Sequence, residues 1–173
     1  METSYIVTFI GDDRPGLVEA VSEVVEQKGG NWHESRLSQL GGKFAGLVLV
    51  SLPTESGPEL ELGLKGLSTQ GLSIRVTPTG PGSQLTTPQS ITLTVIGPDR
   101  PGIVREISSA LASHEVNVVD MDSQVSSAPM SAEKLFEARI DAQIPQDTQL
   151  EELMDTLDEI ANQMTLDIAL EPG

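Results

Sequence analysis

Apolar positions along the chain follow two rhythms in turn, and the whole series of rhythms is spelled out twice. The β-branched and aromatic run 5–10 predicts a buried strand. Apolar residues at 17, 18, 21, 24 and 25 then share one helical face, which predicts a helix over 15–28 that Gly29-Gly30 ends. A strand over 31–40, a Gly41-Gly42 hairpin turn and a strongly apolar strand over 44–52 follow, with Pro53 as the stop. Leu60, Leu64 and Leu67 keep helical spacing, although Gly63 and Gly66 weaken that helix, and 72–76 is a last short strand. After TPTGPGSQLTTPQ over 77–89, too rich in Pro, Gly and Thr for a core element, the series restarts. It predicts a strand over 91–96, a helix over 101–114 and strands over 117–125 and 135–144 joined by a loop around 126–131. A helix over 148–163 and a strand over 166–170 complete it. That last helix has the cleanest pattern, with Leu150, Leu153, Met154, Leu157 and Ile160 on one side and Glu151, Glu152, Asp155, Asp158 and Glu159 on the other.

Each half therefore reads β-α-β-β-α-β, the split βαβ arrangement. The expected fold class is α+β: two ferredoxin-like βαββαβ modules in tandem, each an antiparallel sheet with helices on one face. The first module is assigned to 1–77, a linker to 78–89 and the second module to 90–173. Two copies in one chain make an internal pseudo-dimer the expected assembly. Uncovered sheet faces and edges also leave room for a second copy of the chain, as a homodimer.

The duplication is sharpest at IGDDRPGLV over 10–18 and IGPDRPGIV over 96–104, which differ only at Asp12/Pro98 and Leu17/Ile103. In both places a strand ends, a tight loop turns and a helix begins, so free amides and the positive end of the helix dipole point outwards at a possible anion. Pro15 and Pro101 suit the first helical turn, where a missing N–H costs nothing. Gly16 and Gly102 let another group approach the backbone closely. An α-amino acid fits this chemistry. Its carboxylate would meet the amides after Pro15 and Pro101, its ammonium Asp13 or Asp99, with Arg14 and Arg100 in the same turns. Asn31 and Asn117 hold equivalent places at the start of the next strand and are expected to complete the pocket with a side-chain amide. The plainer readings stand beside this one: DRPG as good helix-start chemistry, and Asn after a helix end as ordinary turn chemistry.

Composition narrows the function. Ten Lys/Arg against 26 Asp/Glu give −16, split as −4 over 1–86 and −12 over 87–173. With no basic stripe and only five aromatics, direct nucleic-acid binding is not expected. The absence of cysteine excludes disulfides, thiolate metal sites and a cysteine nucleophile. The start METSYIVTF enters a strand without a basic region, and no apolar run is long enough to span a bilayer, so the cytoplasm is the expected location. His33 and His114 lie in no motif, and no hydrolytic triad, Walker loop or GxGxxG loop is present, so catalysis is not expected. Asp12-Asp13 and Asp120/Asp122 belong to no EF-hand loop, and neither a metal nor a cofactor is expected.

The two I-G-x-D-R-P-G-[LI]-V loops, each followed by a helix and then by Gly-Gly-Asn at 29–31 or Val-Asn-Val at 116–118, resemble those of the ACT-domain family. The resemblance covers nearly the whole chain. It implies a βαββαβ fold, a non-catalytic regulatory role and amino-acid binding that involves Asp13 to Gly16, Asp99 to Gly102, Asn31 and Asn117. Two such modules with little else resemble regulators of glycine cleavage genes that act on an activator protein rather than on DNA. Glycine or a similar small amino acid is the implied ligand. The alternative is a regulatory or sensor subunit of an amino-acid metabolic enzyme. Asp12/Pro98 and the longer second hairpin break the symmetry, so the two loops need not be equivalent.

Overall fold

Val7 and Phe9 alternate with Ile6, Thr8 and Ile10 along the first strand, and only the odd-numbered pair is buried. A period of two means that one face of the sheet is covered and the other is open. The computed structural model describes residues 1–80 and 88–173, in two compact units, Met1–Ser83 and Gln84–Gly173.

In the first unit, β1 (Glu2–Asp12), α1 (Leu17–Gln27), β2 (Asn31–Leu40), β3 (Lys43–Pro53), α2 (Gly57–Lys65) and β4 (Ser73–Pro78) occur in that order. The second repeats it with β5 (Gln89–Pro98), α3 (Ile103–Ser113), β6 (Asn117–Ser127), β7 (Lys134–Ile144), α4 (Leu150–Met164) and β8 (Asp167–Pro172). All strand pairs are antiparallel, in the orders β2-β3-β1-β4 and β6-β7-β5-β8. Two ferredoxin-like modules stand in tandem, as the pattern predicts.

Helix packing follows from the apolar faces. Leu17, Val21 and Val25 of α1 and Leu60 and Leu64 of α2 are buried with Val7, Val48 and Val50 of the sheet. Ile103, Ile107 and Leu111 of α3 and Leu153 and Leu157 of α4 do the same over Leu93 and Ile140. Each such side chain contributes about 1.5–3 kcal/mol by leaving water. Most exposed positions between them are polar, although Val18, Leu62, Val104 and Met154 are exposed as well, so each helix packs by its wider apolar face.

Several boundaries differ from the predicted ones. Both loop helices begin two residues later than expected, because Gly16 (φ +91°) and Gly102 (φ +95°) adopt the left-handed conformation at the N-cap and place Pro15 and Pro101 before the helix. At the other end of α1, Gly29 (φ +74°) donates its N–H to Glu26 and Gly30 donates to Val25, the paired bonds of a Schellman cap. In the second unit the same cap forms at Glu115 (φ +57°) without glycine. The expected linker overlaps strand at both ends, since β4 runs to Pro78 and β5 starts at Gln89; its residues 81–87 lie outside the described residues. β6 continues into the loop expected around 126–131, as far as Ser127, so the six extra residues of the second hairpin lengthen the strands slightly as well as the turn.

Candidate functional site

Each DRPG loop leaves the end of a central strand and is held against the neighbouring hairpin. The Asp13 amide donates to the Gly42 carbonyl (3.0 Å), and the Asp99 amide donates to the Lys134 carbonyl (2.8 Å). The glycine carbonyls then accept the first helical bonds, Ala20 N–H to Gly16 O and Glu106 N–H to Gly102 O, both 2.9 Å. A glycine N-cap carries no side chain to satisfy the first turn. The amides of Leu17, Val18 and Glu19, and of Ile103, Val104 and Arg105, accordingly have no protein acceptor among the described residues. Nothing lies within 4 Å of a Cβ built on Gly16 or Gly102. The loop needs glycine there for its positive φ, and not because another group presses on the backbone, as the sequence suggests.

The two loops differ in what their charged residues do. Asp13 Oδ2 accepts a hydrogen bond from Gln39 Nε2 (2.6 Å), and Arg14 Nη2 donates to the Gln70 carbonyl (2.5 Å). Asp99 and Arg100 are exposed and have no side-chain partner among the described residues. The first loop borders an open recess of about 340 Å³, lined by Asp13, Arg14, Val18, Glu19 and Phe44 among others. Phe44 stands against Phe9 with ring centroids 6.1 Å apart. Sequence reasoning placed Phe44 in the core strand and missed its place in the loop wall; its nearness to the Gly41-Gly42 turn, which brackets Asp13, was the available signal.

Asn31 and Asn117 are not near the loops of their own modules, which corrects the expectation that they complete those pockets. Asn31 pairs with Ser51 on β3, whereas the loop sits at Gly42–Lys43. Asn117 pairs with Gln143 on β7, whereas its loop sits at Lys134. Eight or nine strand residues separate the rows, about 25–30 Å at ~3.3 Å per residue. The helix between them runs antiparallel to the strands and delivers the chain to the opposite end of the sheet.

Among the described residues, neither histidine stands with both a nucleophile and an orienting acid. His33 Nε2 lies 2.7 Å from Ser51 Oγ, and His114 Nε2 lies 3.1 Å from Thr156 Oγ1. No group of three His, Asp or Glu side chains is placed to hold a metal among the described residues. Asp12 is engaged elsewhere: the Lys43 ammonium donates to its carboxylate and, by that bond and its charge, holds the carboxyl below the ordinary 3.8. A lowered folded pKa means that the pair's contribution is complete above the unfolded value and is lost as pH falls through the folded one. Lys43→Met is expected to return the Asp12 titration midpoint, followed by carboxyl NMR, to its ordinary position; an unmoved midpoint would show that the pair does not form in solution.

Two family models, both described as ACT domain, match residues 3–77 and 86–162. The chain belongs to the ACT-domain family and carries two such modules in tandem. Among curated relatives it is similar to the glycine cleavage system transcriptional repressor of Escherichia coli (strain K12), at 27% identity over 143 residues, 81% of this chain and 74% of that protein. The Shigella flexneri protein of the same name matches to the same extent. Among solved structures, an unknown protein from Galdieria sulphuraria superposes with a TM-score of 0.89 at 28% identity, over 100% of this chain and 99% of that one. A chain provisionally designated a glycine cleavage system transcriptional repressor superposes with a TM-score of 0.73 at 22% identity, over 100% and 98%, and shows the shared fold. Among the described residues, no helix is long and apolar enough to cross a membrane.

Proposed function

We propose that this chain is a non-catalytic, amino-acid-responsive regulator of glycine cleavage genes that acts in the cytoplasm through a protein partner and not on DNA. The observation that carries the ligand half of this reading is the duplicated, uncapped helix start. In each module three amides point outwards behind a glycine that the loop conformation requires, which suits a carboxylate. The second loop is the better candidate, because Asp99 has no side-chain partner among the described residues whereas Asp13 already accepts a hydrogen bond from Gln39. A small amino acid held there would shift the affinity for the partner by its differential binding to the two states.

The partner half rests on charge and on the relatives. A chain at −16 has little to offer a phosphate backbone. The exposed Glu151, Glu152, Asp155, Asp158 and Glu159 on α4 suit a basic protein surface. Co-purification decides between this reading and a sensor subunit of a metabolic enzyme: a DNA-binding activator is expected, and recovery of an enzyme alone would replace the proposal.

Calorimetry of the full chain with glycine, serine and related amino acids tests the site. Asp99→Ala is expected to weaken the binding of the responding amino acid about tenfold, the value of a hydrogen bond to a charged group. Asn117→Ala is expected to leave it unchanged. Unaltered affinity in Asp99→Ala, or a loss in Asn117→Ala, would remove the second loop as the holder of the ligand.

A further inference from the structure

Sheet positions that the two modules share carry different chemistry. On the face turned away from the helices, the second sheet places Asp120 and Asp122 on β6, Glu137 and Asp141 on β7, and Asp167 and Glu171 on β8. Arg139 is the one base of this face among the described residues, and Asp141 lies 3.4 Å from it. At the matching register positions the first sheet has Arg36 for Asp122, Ala45 for Glu137, Leu47 for Arg139, Leu49 for Asp141, Ser73 for Asp167 and Thr77 for Glu171. The fold therefore does not call for acids here. Asp120 even stands directly opposite Asp141 across β6 and β7, an arrangement that costs stability between like charges. Thr94, Ile96, Asp122 and Glu137, among others, border an open recess of about 580 Å³ in this face.

We propose that this face of the second sheet is the docking surface for the protein partner, and that the partner presents a lysine- and arginine-rich surface to it. The proposal rests on the partner-mediated reading above and names the surface that such a partner uses. Charge complementarity identifies the occupant. An apolar or acidic surface would strip water from these carboxylates without pairing them, whereas ammonium and guanidinium groups pair with them. The recess takes one long basic side chain, its stem on Thr94 and Ile96 and its head between Asp122 and Glu137. Four strands about 4.8 Å apart and about eight residues long offer roughly 500 Å², about 1,000 Å² over both partners, the size of a transient signalling contact. The acids of α4 lie on the other side of the module and form the solvated half of an amphipathic helix, so they speed encounter without being buried. The recess also adjoins the second loop, because Ile96 pairs with Glu137 and Pro98 with Leu135 just ahead of Asp99. An amino acid held by that loop borders the docked partner.

The probe is a peptide of about twelve residues alternating lysine and threonine, whose lysines share one face when extended. NMR chemical-shift mapping on the full chain, with neither amino acid nor activator present, is expected to move amides around Ile96, Asp122 and Glu137 and to leave those of α4 in place. Asp122→Lys combined with Glu137→Lys is expected to weaken peptide binding more than about tenfold, as the loss of close charge pairs does. Glu151→Lys combined with Asp155→Lys changes the net charge equally and is expected to alter the affinity less than about threefold, because those charges stay in water. Circular dichroism checks folding, and Asp122→Asn with Glu137→Gln takes the place of the lysine pair if that pair does not fold. Shifts centred on α4, equal weakening by the two lysine pairs, or no binding at about 1 mM peptide would overturn the proposal. Failure of the mapping leaves the gene-regulation reading standing on another surface, and failure of that reading in the co-purification leaves the mapping intact.

Discussion

Alanine in place of Gly97 is expected to destabilise the chain by about 1–3 kcal/mol, the usual cost of forcing atoms into a packed site. Gly97 is the glycine of the repeated Ile-Gly step at the end of the central strand. A Cβ there would lie 2.7 Å from Leu166 Cδ2 and 2.8 Å from the Thr165 carbonyl oxygen. Leu166 could move its side chain, but the carbonyl belongs to backbone fixed by the cap of α4, where Leu166 N–H donates to Ala161 and Thr165 sits at φ +58°. Gly11→Ala is expected to cost less, because the corresponding carbonyl, of Gly71, is 3.1 Å away. Gly66→Ala supplies the control: its φ is −59° and nothing lies within 4 Å of its Cβ, so it should be neutral or stabilising by up to about 1 kcal/mol. Urea unfolding followed by circular dichroism measures all three. Equal stability of Gly97→Ala and Gly66→Ala would show that the strand end yields more easily than its cap implies.

Valine in place of Gly102 is expected to do two things at once. A β-branched residue does not tolerate φ +95°, and holding it there costs about 1–3 kcal/mol. If the loop relaxes instead, the N-cap turns out of the left-handed region and the amides of Ile103, Val104 and Arg105 lose their common direction. Binding of the responding amino acid by the second loop should then fall by more than about tenfold, a larger loss than removing the single contact at Asp99, because several donors are displaced together. The comparison with Gly97→Ala separates the effects, since Gly97 is outside the amide cluster and should alter stability with little change in affinity. A Gly102→Val chain that binds as tightly as wild type would show that the helix start holds no ligand.

Much of the architecture was legible in the chain because it is encoded locally. A period of two or 3.6 names a strand or a helix and says which side is apolar, so the order of the eight strands and four α-helices among the described residues and the single covered face of each sheet follow from the sequence. The 31–40 strand ends where the pattern says it does, because Gly29-Gly30 and Gly41-Gly42 punctuate both ends. Repetition of the DRPG loop likewise pointed to two candidate sites, and Asp12/Pro98 to a difference between them.

What those sites contain was decided only by contacts between distant residues. Asp13 meets Gln39 26 positions away and Arg14 meets Gln70 56 positions away, and nothing in either local pattern foretells such encounters. They distinguish the first loop from the second, where Asp99 and Arg100 have no side-chain partner among the described residues. Register decided that Asn31 and Asn117 stand at the far end of the sheet from their loops, since a helix that returns antiparallel to its strand separates residues that lie only fifteen apart in the chain. The same register showed that Leu47 and Leu49 share an open face with Ile6, whereas Arg139 and Asp141 hold those places in the other module. Sequence thus determined the elements and their apolar sides, because those depend on near neighbours. Tertiary structure determined partners and ends, because pairing across a sheet couples residues that local spacing cannot relate.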